Sequence, residues 1–193
     1  MNSVFFKTLN LFIALTLITG LIYPAAVTFM AQTILPYQAN GSIIMMNQIA
    51  VGSELIAQNF QKQNYFWPRP SACDYSMLPA GASNLGPSSA ELKKSFDKRL
   101  ETFCASNGVS TLEAILTARE MLFASGSGID PHISLASALI QSKRVAAARK
   151  YDTEKNIKLQ EMILANTEPP QLGFLGETRV NILKLNISID NLK

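Results

Sequence analysis

Histidine, cysteine and concentrated charge are scarce in this sequence, and each scarcity removes a class of function. The single histidine, His132, cannot build a His-rich metal site or an H-E-x-x-H zinc centre. The two cysteines, Cys73 and Cys104, lack C-x-x-C spacing and are too few for a disulfide scaffold, which leaves one disulfide outside the cytoplasm or two free thiols. Neither a G-x-x-x-x-G-K-[ST] phosphate loop nor a G-x-S-x-G nucleophile elbow occurs, so independent catalysis has no recognisable centre. The net charge of +3 is spread over mixed residues without a dense Lys/Arg run, which argues against DNA or RNA as a partner. With 48% apolar residues and only 16% charged, the chain is too apolar for a disordered one.

Charge is also absent locally. Lys7 is the only charged residue in the first 53, and the other 30 of the 31 lie beyond that point. Within this uncharged region, Leu9 to Met30 is slightly longer than the roughly 20 residues that cross a hydrocarbon core. A transmembrane helix is expected; the alternative is a cleaved signal peptide with Lys7 in its n-region and Ala25-Ala26 near the cut. Pro24 should kink the span, a fault that a neighbouring helix repairs better than lipid does. Gly20, Ala25, Ala26 and Ala31 are small enough for close helix packing, so Gly20, Pro24, Ala25 and Ala26 are candidate partner-packing residues. Lys7 before the span and no basic residue soon after it place the N-terminus inside and the bulk of the chain outside.

The remainder reads as one domain. Ile43 to Val51 suggests a hairpin turning at Asn47-Gln48, and Gly52 to Gly86 reads as loop anchored by Tyr65-Phe66-Trp67-Pro68-Arg69-Pro70. Capping boxes at Ser88/Glu91 and Ser110/Glu113 open two helices, the first packing Leu92, Phe96, Leu100 and Phe103 before Gly108 closes it. Asp130-Pro131 fits the start of a helix reaching Lys150, whose Lys143, Arg144, Arg149 and Lys150 would complement its dipole. Asp152 caps another, stopped before Pro169-Pro170. Leu183, Leu185, Ile187 and Ile189 alternate with polar residues as in a half-buried strand. The expected fold is α+β: a single N-terminal transmembrane helix followed by one extracytoplasmic α+β domain, divided as 1–8 cytoplasmic, 9–35 span and exit, and 36–193 domain.

Two features invite a chemical reading. Ser125-Gly126-Ser127-Gly128 ahead of Asp130 resembles a loop that feeds a helix N-terminus and offers backbone N–H groups to a phosphate, although a plain Gly-Ser turn is commoner. His132 beside it suits a structural hydrogen bond better than acid/base work.

The strings GSELIAQNF at 52–60, YFWPRPSA at 65–72, GASNLGPSSAEL at 81–92, ASGSGIDPHIS at 124–134, QSKRVAAAR at 141–149 and LGFLGETRVNILKLNISID at 172–190, in this order, closely resemble the KdpC family. That family is the C subunit of the potassium-transporting P-type ATPase. Leu135 stands where a proline is expected after DPHIS, and Lys150 where the family often has glycine. The resemblance implies a bacterial inner-membrane complex of the channel-like potassium subunit KdpA, the ATPase subunit KdpB and the small subunit KdpF, in which this chain is a non-catalytic accessory subunit supporting assembly and activity. No DKTGT phosphorylation motif occurs, in keeping with hydrolysis in another subunit. The family is also described as a catalytic chaperone raising ATP affinity. On that reading Ser125, Gly126, Ser127, Gly128 and Gln141 are the nucleotide candidates and ATP the one candidate ligand, with no tightly bound cofactor. An extracytoplasmic domain conflicts with this, because ATP is cytoplasmic.

Overall fold

The structure is a computed structural model, and it describes residues 2–192. The chain divides into two compact units, residues 1–53 and 54–193.

In the first unit, α1 (Asn2–Leu17), a π-helical turn (Ile18–Ile22) and α2 (Tyr23–Ile34) follow without a break. Ser3–Ile34 has a mean hydropathy of 2.0 in its most apolar stretch and is the one helix among the described residues long and apolar enough to cross a membrane. The proline is accommodated by a change in helical winding. Pro24 sits in the first turn of α2 and has no N–H to give to Gly20 four residues back; the wider turn over Ile18–Ile22 falls where that bond and the ring clash would be, and the Tyr23 N–H donates to Ile18 instead. Within this helix, the hydroxyls of Thr16 and Thr19 donate to the carbonyls of Phe12 and Leu15, both at 2.8 Å, so neither is left unpaired on an apolar surface.

After a short helix α3 (Pro36–Ala39), β1 (Ile43–Met46) and β2 (Ile49–Ser53) form the expected hairpin. Asn47 and Gln48 both have positive φ, +48° and +65°, the backbone of a type I′ two-residue turn.

The second unit packs five helices on a small antiparallel sheet. Its regular part opens with α4 (Ala90–Asn107), whose N-cap is Ser89, accepting from the Leu92 N–H, and not Ser88. Gly108 closes it at φ +65°. Next come α5 (Thr111–Thr117), capped by Ser110 as expected, and a 3₁₀ turn at Arg119–Met121. Strands β3 (His132–Ser134), β4 (Thr167–Glu168) and β5 (Arg179–Asn181) make a sheet in the order β3-β5-β4. Helix α6 (Leu135–Arg149) runs through the core, α7 (Thr153–Ala165) is capped by Asp152, and α8 (Ile182–Asp190) is the last helix among the described residues.

Two expectations are corrected here. The helix expected from Pro131 starts at Leu135, because His132–Ser134 pairs with Arg179–Asn181 and Ser134 takes the N-cap role. Asp130 instead accepts from the His132 N–H two residues on, a local turn that competes with a helix start. The segment expected as a C-terminal strand is α8. Asn181 caps it by accepting from the Lys184 N–H, and its buried residues Ile182, Leu183, Leu185, Asn186 and Ile189 follow a helical period that the alternation of leucine and isoleucine happens to overlap.

The core gathers Phe66, Phe103, Leu122, Ile133, Val145, Leu159, Ile163, Val180, Leu185 and Ile189. Phe96 and Leu100 pack on it from α4, as their spacing predicts.

The two departures from the family strings now have structural addresses. Leu135 is the first residue of α6, where proline is well tolerated. Lys150 ends α6 with φ +55°, a left-handed conformation that costs a residue with a Cβ about 1 kcal/mol. Lys150→Gly should therefore raise the urea-unfolding midpoint of the full chain in detergent, corresponding to a gain in unfolding free energy of up to about 1 kcal/mol. A lower midpoint would show that the lysine side chain outweighs the backbone strain.

Candidate functional site

The segment Gln63–Trp67 has no regular secondary structure, yet Phe66 within it is fully buried. A buried backbone must find hydrogen-bond partners, and here side chains supply them. The Asn186 amide on α8 accepts from the Phe66 N–H at 2.9 Å and donates to its carbonyl at 3.0 Å. The Gln141 amide on α6 does the same for Trp67, at 2.8 Å and 3.1 Å. Two side-chain amides thus imitate the ladder of a neighbouring strand.

Guanidiniums serve the carbonyls before them. Arg144 donates to Gln63 at 2.5 Å and to Tyr65 at 3.0 Å, while its other nitrogens reach Asn107 and Gln141. Its plane lies 3.9 Å from the centre of the Trp67 ring. No carboxylate among the described residues pairs with it. Burial pushes its pKa down to about 10, still far enough above neutrality to keep it charged. Arg149 donates to the Asn64 carbonyl at 2.8 Å and pairs with Asp190 at 2.6 Å, and the Tyr65 hydroxyl donates to the same carboxylate. The dipole-complementing role expected of Arg144 is thereby replaced by a buried one.

The Gly-Ser loop is engaged by the rest of the fold. It leads into β3, with α6 starting only at Leu135, so no helix N-terminus lies behind it. Ser125 is buried and its N–H donates to Pro70, and the Ser127 hydroxyl accepts from the Ile129 N–H. Gly128 has φ +74°, and a Cβ there would sit 2.4 Å from the Cys73 sulfur and 2.7 Å from the Gly81 carbonyl. Gly126 is exposed with open space around it. Gln141 is 0% exposed, with its oxygen and nitrogen both engaged by Trp67. The five nucleotide candidates thus do not converge on one open surface. Cys73 and Cys104 are both free thiols. Gly20, Pro24, Ala25 and Ala26 are all exposed on the first unit's helix.

Charged groups fasten this region. Arg69 pairs with Asp130 at 2.9 Å, and the His132 ring nitrogen Nδ1 lies 3.6 Å from the same carboxylate. Glu120 accepts from the Ser134 N–H at 3.1 Å, from the Ser134 hydroxyl at 2.6 Å and from the Ser137 hydroxyl. Burial raises the Glu120 pKa, but the hydrogen bonds from Ser134 and Ser137 outweigh it and hold the carboxyl below its ordinary range.

Between α4 and the Asn59–Tyr75 loop lies an open cleft of about 580 Å³. Among the described residues, no group of His, Cys, Asp and Glu side chains could hold a metal ion.

Comparison with known proteins decides the family. The model of the KdpC family, described as the c chain of the K+-transporting ATPase, matches residues 5–191. This chain belongs to the KdpC family. It is 41% identical over 193 residues to a potassium-transporting ATPase KdpC subunit of Polynucleobacter asymbioticus, covering 98% of this chain and 99% of that one. It is 42% identical over 196 residues to the KdpC subunit of Polaromonas naphthalenivorans (100% and 97% covered), and 44% identical over 189 residues to that of Rhodospirillum rubrum (94% and 92%). The KdpC strings YFWPRPSA, QSKRVAAAR and the C-terminal block are the three parts of one construction: an extended segment and the two helices whose side chains hold it.

Two predictions follow from this geometry. Gln141→Ala strips partners from the Trp67 N–H, the Trp67 carbonyl and Arg144 at once, so it should destabilise the domain by about 3 kcal/mol or more in urea unfolding; a loss under about 1 kcal/mol would mean that the amide is not needed there. Glu120 has a lowered pKa in the folded state, so its contribution is present above the unfolded-state value and disappears as pH falls through the folded one. Between about pH 6 and about pH 3 the wild type should therefore lose more stability than Glu120→Gln, and parallel curves would contradict this.

Proposed function

We propose that this chain is a non-catalytic accessory subunit of an ATP-driven potassium uptake complex, stabilising assembly and supporting the activity of KdpA and KdpB, with KdpF as a further neighbour. The observation that carries the reading is the match along almost the whole KdpC length, joined to an apolar helix whose most apolar stretch has no buried residue. A helix of this kind needs lipid or a partner helix around it, and its small residues suit the second.

In this reading the chain is a single-pass protein of the bacterial inner membrane with Lys7 inside and residues 36–193 outside. The basis is the positive-inside rule applied to a span with one flanking charge. A direct ATP-binding role is the weaker alternative. Gln141 is sealed beneath Trp67, and an outer domain would face no ATP.

The deciding experiment is co-purification from bacterial membranes with KdpA carrying the affinity tag. Wild-type chain should be recovered with KdpA and KdpB, and Gly20→Leu and Ala26→Leu should lower that recovery. Full recovery of both variants would move the binding energy away from the helix, and no recovery of the wild type would remove the accessory-subunit reading. For topology, Ser88→Cys in a chain lacking Cys73 and Cys104 should react with an impermeant thiol reagent in intact spheroplasts; labelling only after lysis would invert the orientation.

A further inference from the structure

The cleft between α4 and the Asn59–Tyr75 loop borders the held segment at Trp67, and its lining is unusual. One wall is a single face of α4, where Ser95, Lys98, Arg99 and Thr102 recur at helical spacing. The opposite wall is aromatic, with Phe60, Trp67 and Tyr75. Two cations face the space and no residue lining it is acidic.

The cations lack counter-ions. Among the described residues no carboxylate lies within ion-pair distance of Lys98 or Arg99. Among the described residues the Arg99 guanidinium makes one hydrogen bond, a long one of 3.5 Å from Nη1 to the Leu122 carbonyl, which leaves most of its donors unused. Arg99 is half-buried, and burial lowers its pKa, so the positive charge stands partly desolvated with nothing to balance it. A partly desolvated guanidinium beside an ammonium and aromatic rings attracts a carboxylate with an apolar neighbour.

The open side of the cleft bears on the occupant. A small molecule there would keep much of its surface in water, whereas a loop of a second protein would close the opening with its own body. Tryptophan, tyrosine and arginine around one depression is also the composition of protein interface anchors.

We propose that this cleft is a docking site for an acidic loop of another subunit of the complex, whose carboxylate pairs with Arg99 and Lys98 while an adjacent apolar side chain lies against Trp67 and Phe60. This rests on the accessory-subunit reading above.

The test uses the intact complex and a carbodiimide, which joins a lysine amine to a carboxylate only at ion-pair distance. Mass spectrometry should find an amide between Lys98 and an acidic residue of another subunit, lost at high salt and lost in Lys98→Arg, which keeps the charge but cannot couple. Arg99→Gln and Lys98→Glu should each speed dissociation of this chain from the complex, by about tenfold for the half-buried Arg99. Because Lys98 is exposed, Lys98→Glu leaves folding out of the result. An intact complex with cross-links at other lysines, none at Lys98 and unchanged dissociation for both variants would overturn the proposal. So would protection of Lys98 from acetylation in the isolated chain as complete as in the complex, since that would point to a small bound anion. If the wild-type chain fails to co-purify at all, the subunit reading fails first and the docking site falls with it.

Discussion

The pairing of two side-chain amides with two consecutive backbone units governs this domain. Phe66 enters the core as part of an extended segment with no strand beside it, and Asn186 and Gln141 supply the bonds a strand would have made. The arrangement makes three distant parts of the chain interdependent. Helix α6 cannot present Gln141 and Arg144 unless the loop lies over it, and α8 cannot bury Asn186 unless Phe66 is in place. Leaving any of these groups unpaired costs about 1–3 kcal/mol, so the interior tolerates few partial versions of itself. Arg144 extends the same logic to a charge, whose balance comes from carbonyl dipoles, amide oxygens and the Trp67 ring instead of a carboxylate.

A domain built this way is suited to holding a shape. The loop from Pro70 to Gly81 is drawn against Ser125–Gly128 by the close approach at Gly128, and Arg69 with Asp130 fastens its beginning. Gln141 and Asn186 spend their amide groups on the backbone of the loop. Among the features that face outward are the cationic, aromatic cleft beside α4 and the exposed apolar helix of the first unit. Both fit the accessory place in a larger assembly that is proposed for this chain.

The sequence was most legible where a local rule decides the outcome. Ser110 and Asp152 begin helices through their side chains, Gly108 ends one because it has none, and the Asn47-Gln48 turn sits between two apolar runs as expected. It was least legible where distant residues decide. Asp130-Pro131 has the form of a helix start, but pairing with β5, nearly fifty residues on, extends His132–Ser134 instead. Leu183 to Ile189 satisfies a two-residue and a helical period together, and only the Asn181 cap and the burial of Asn186 separate them. Nothing about the QSKR string announces that its arginine is buried while its lysine is exposed, since the carbonyls that call for Arg144 belong to residues 63 and 65. The Gly-Ser loop was readable as a turn, and its one strict requirement, at Gly128, depends on Cys73 and Gly81 coming close in space.

The most direct measurement of the central claim is amide hydrogen exchange on the full-length chain in detergent, resolved to residues 63–70. The backbone N–H groups of Phe66 and Trp67, each bonded to a buried side-chain amide, should exchange as slowly as those in the middle of α6, opening only with the whole domain. Exchange of these two amides at the rate of an exposed loop, with α6 still protected, would contradict the account, because the helices would then be holding together without the segment they are said to depend on.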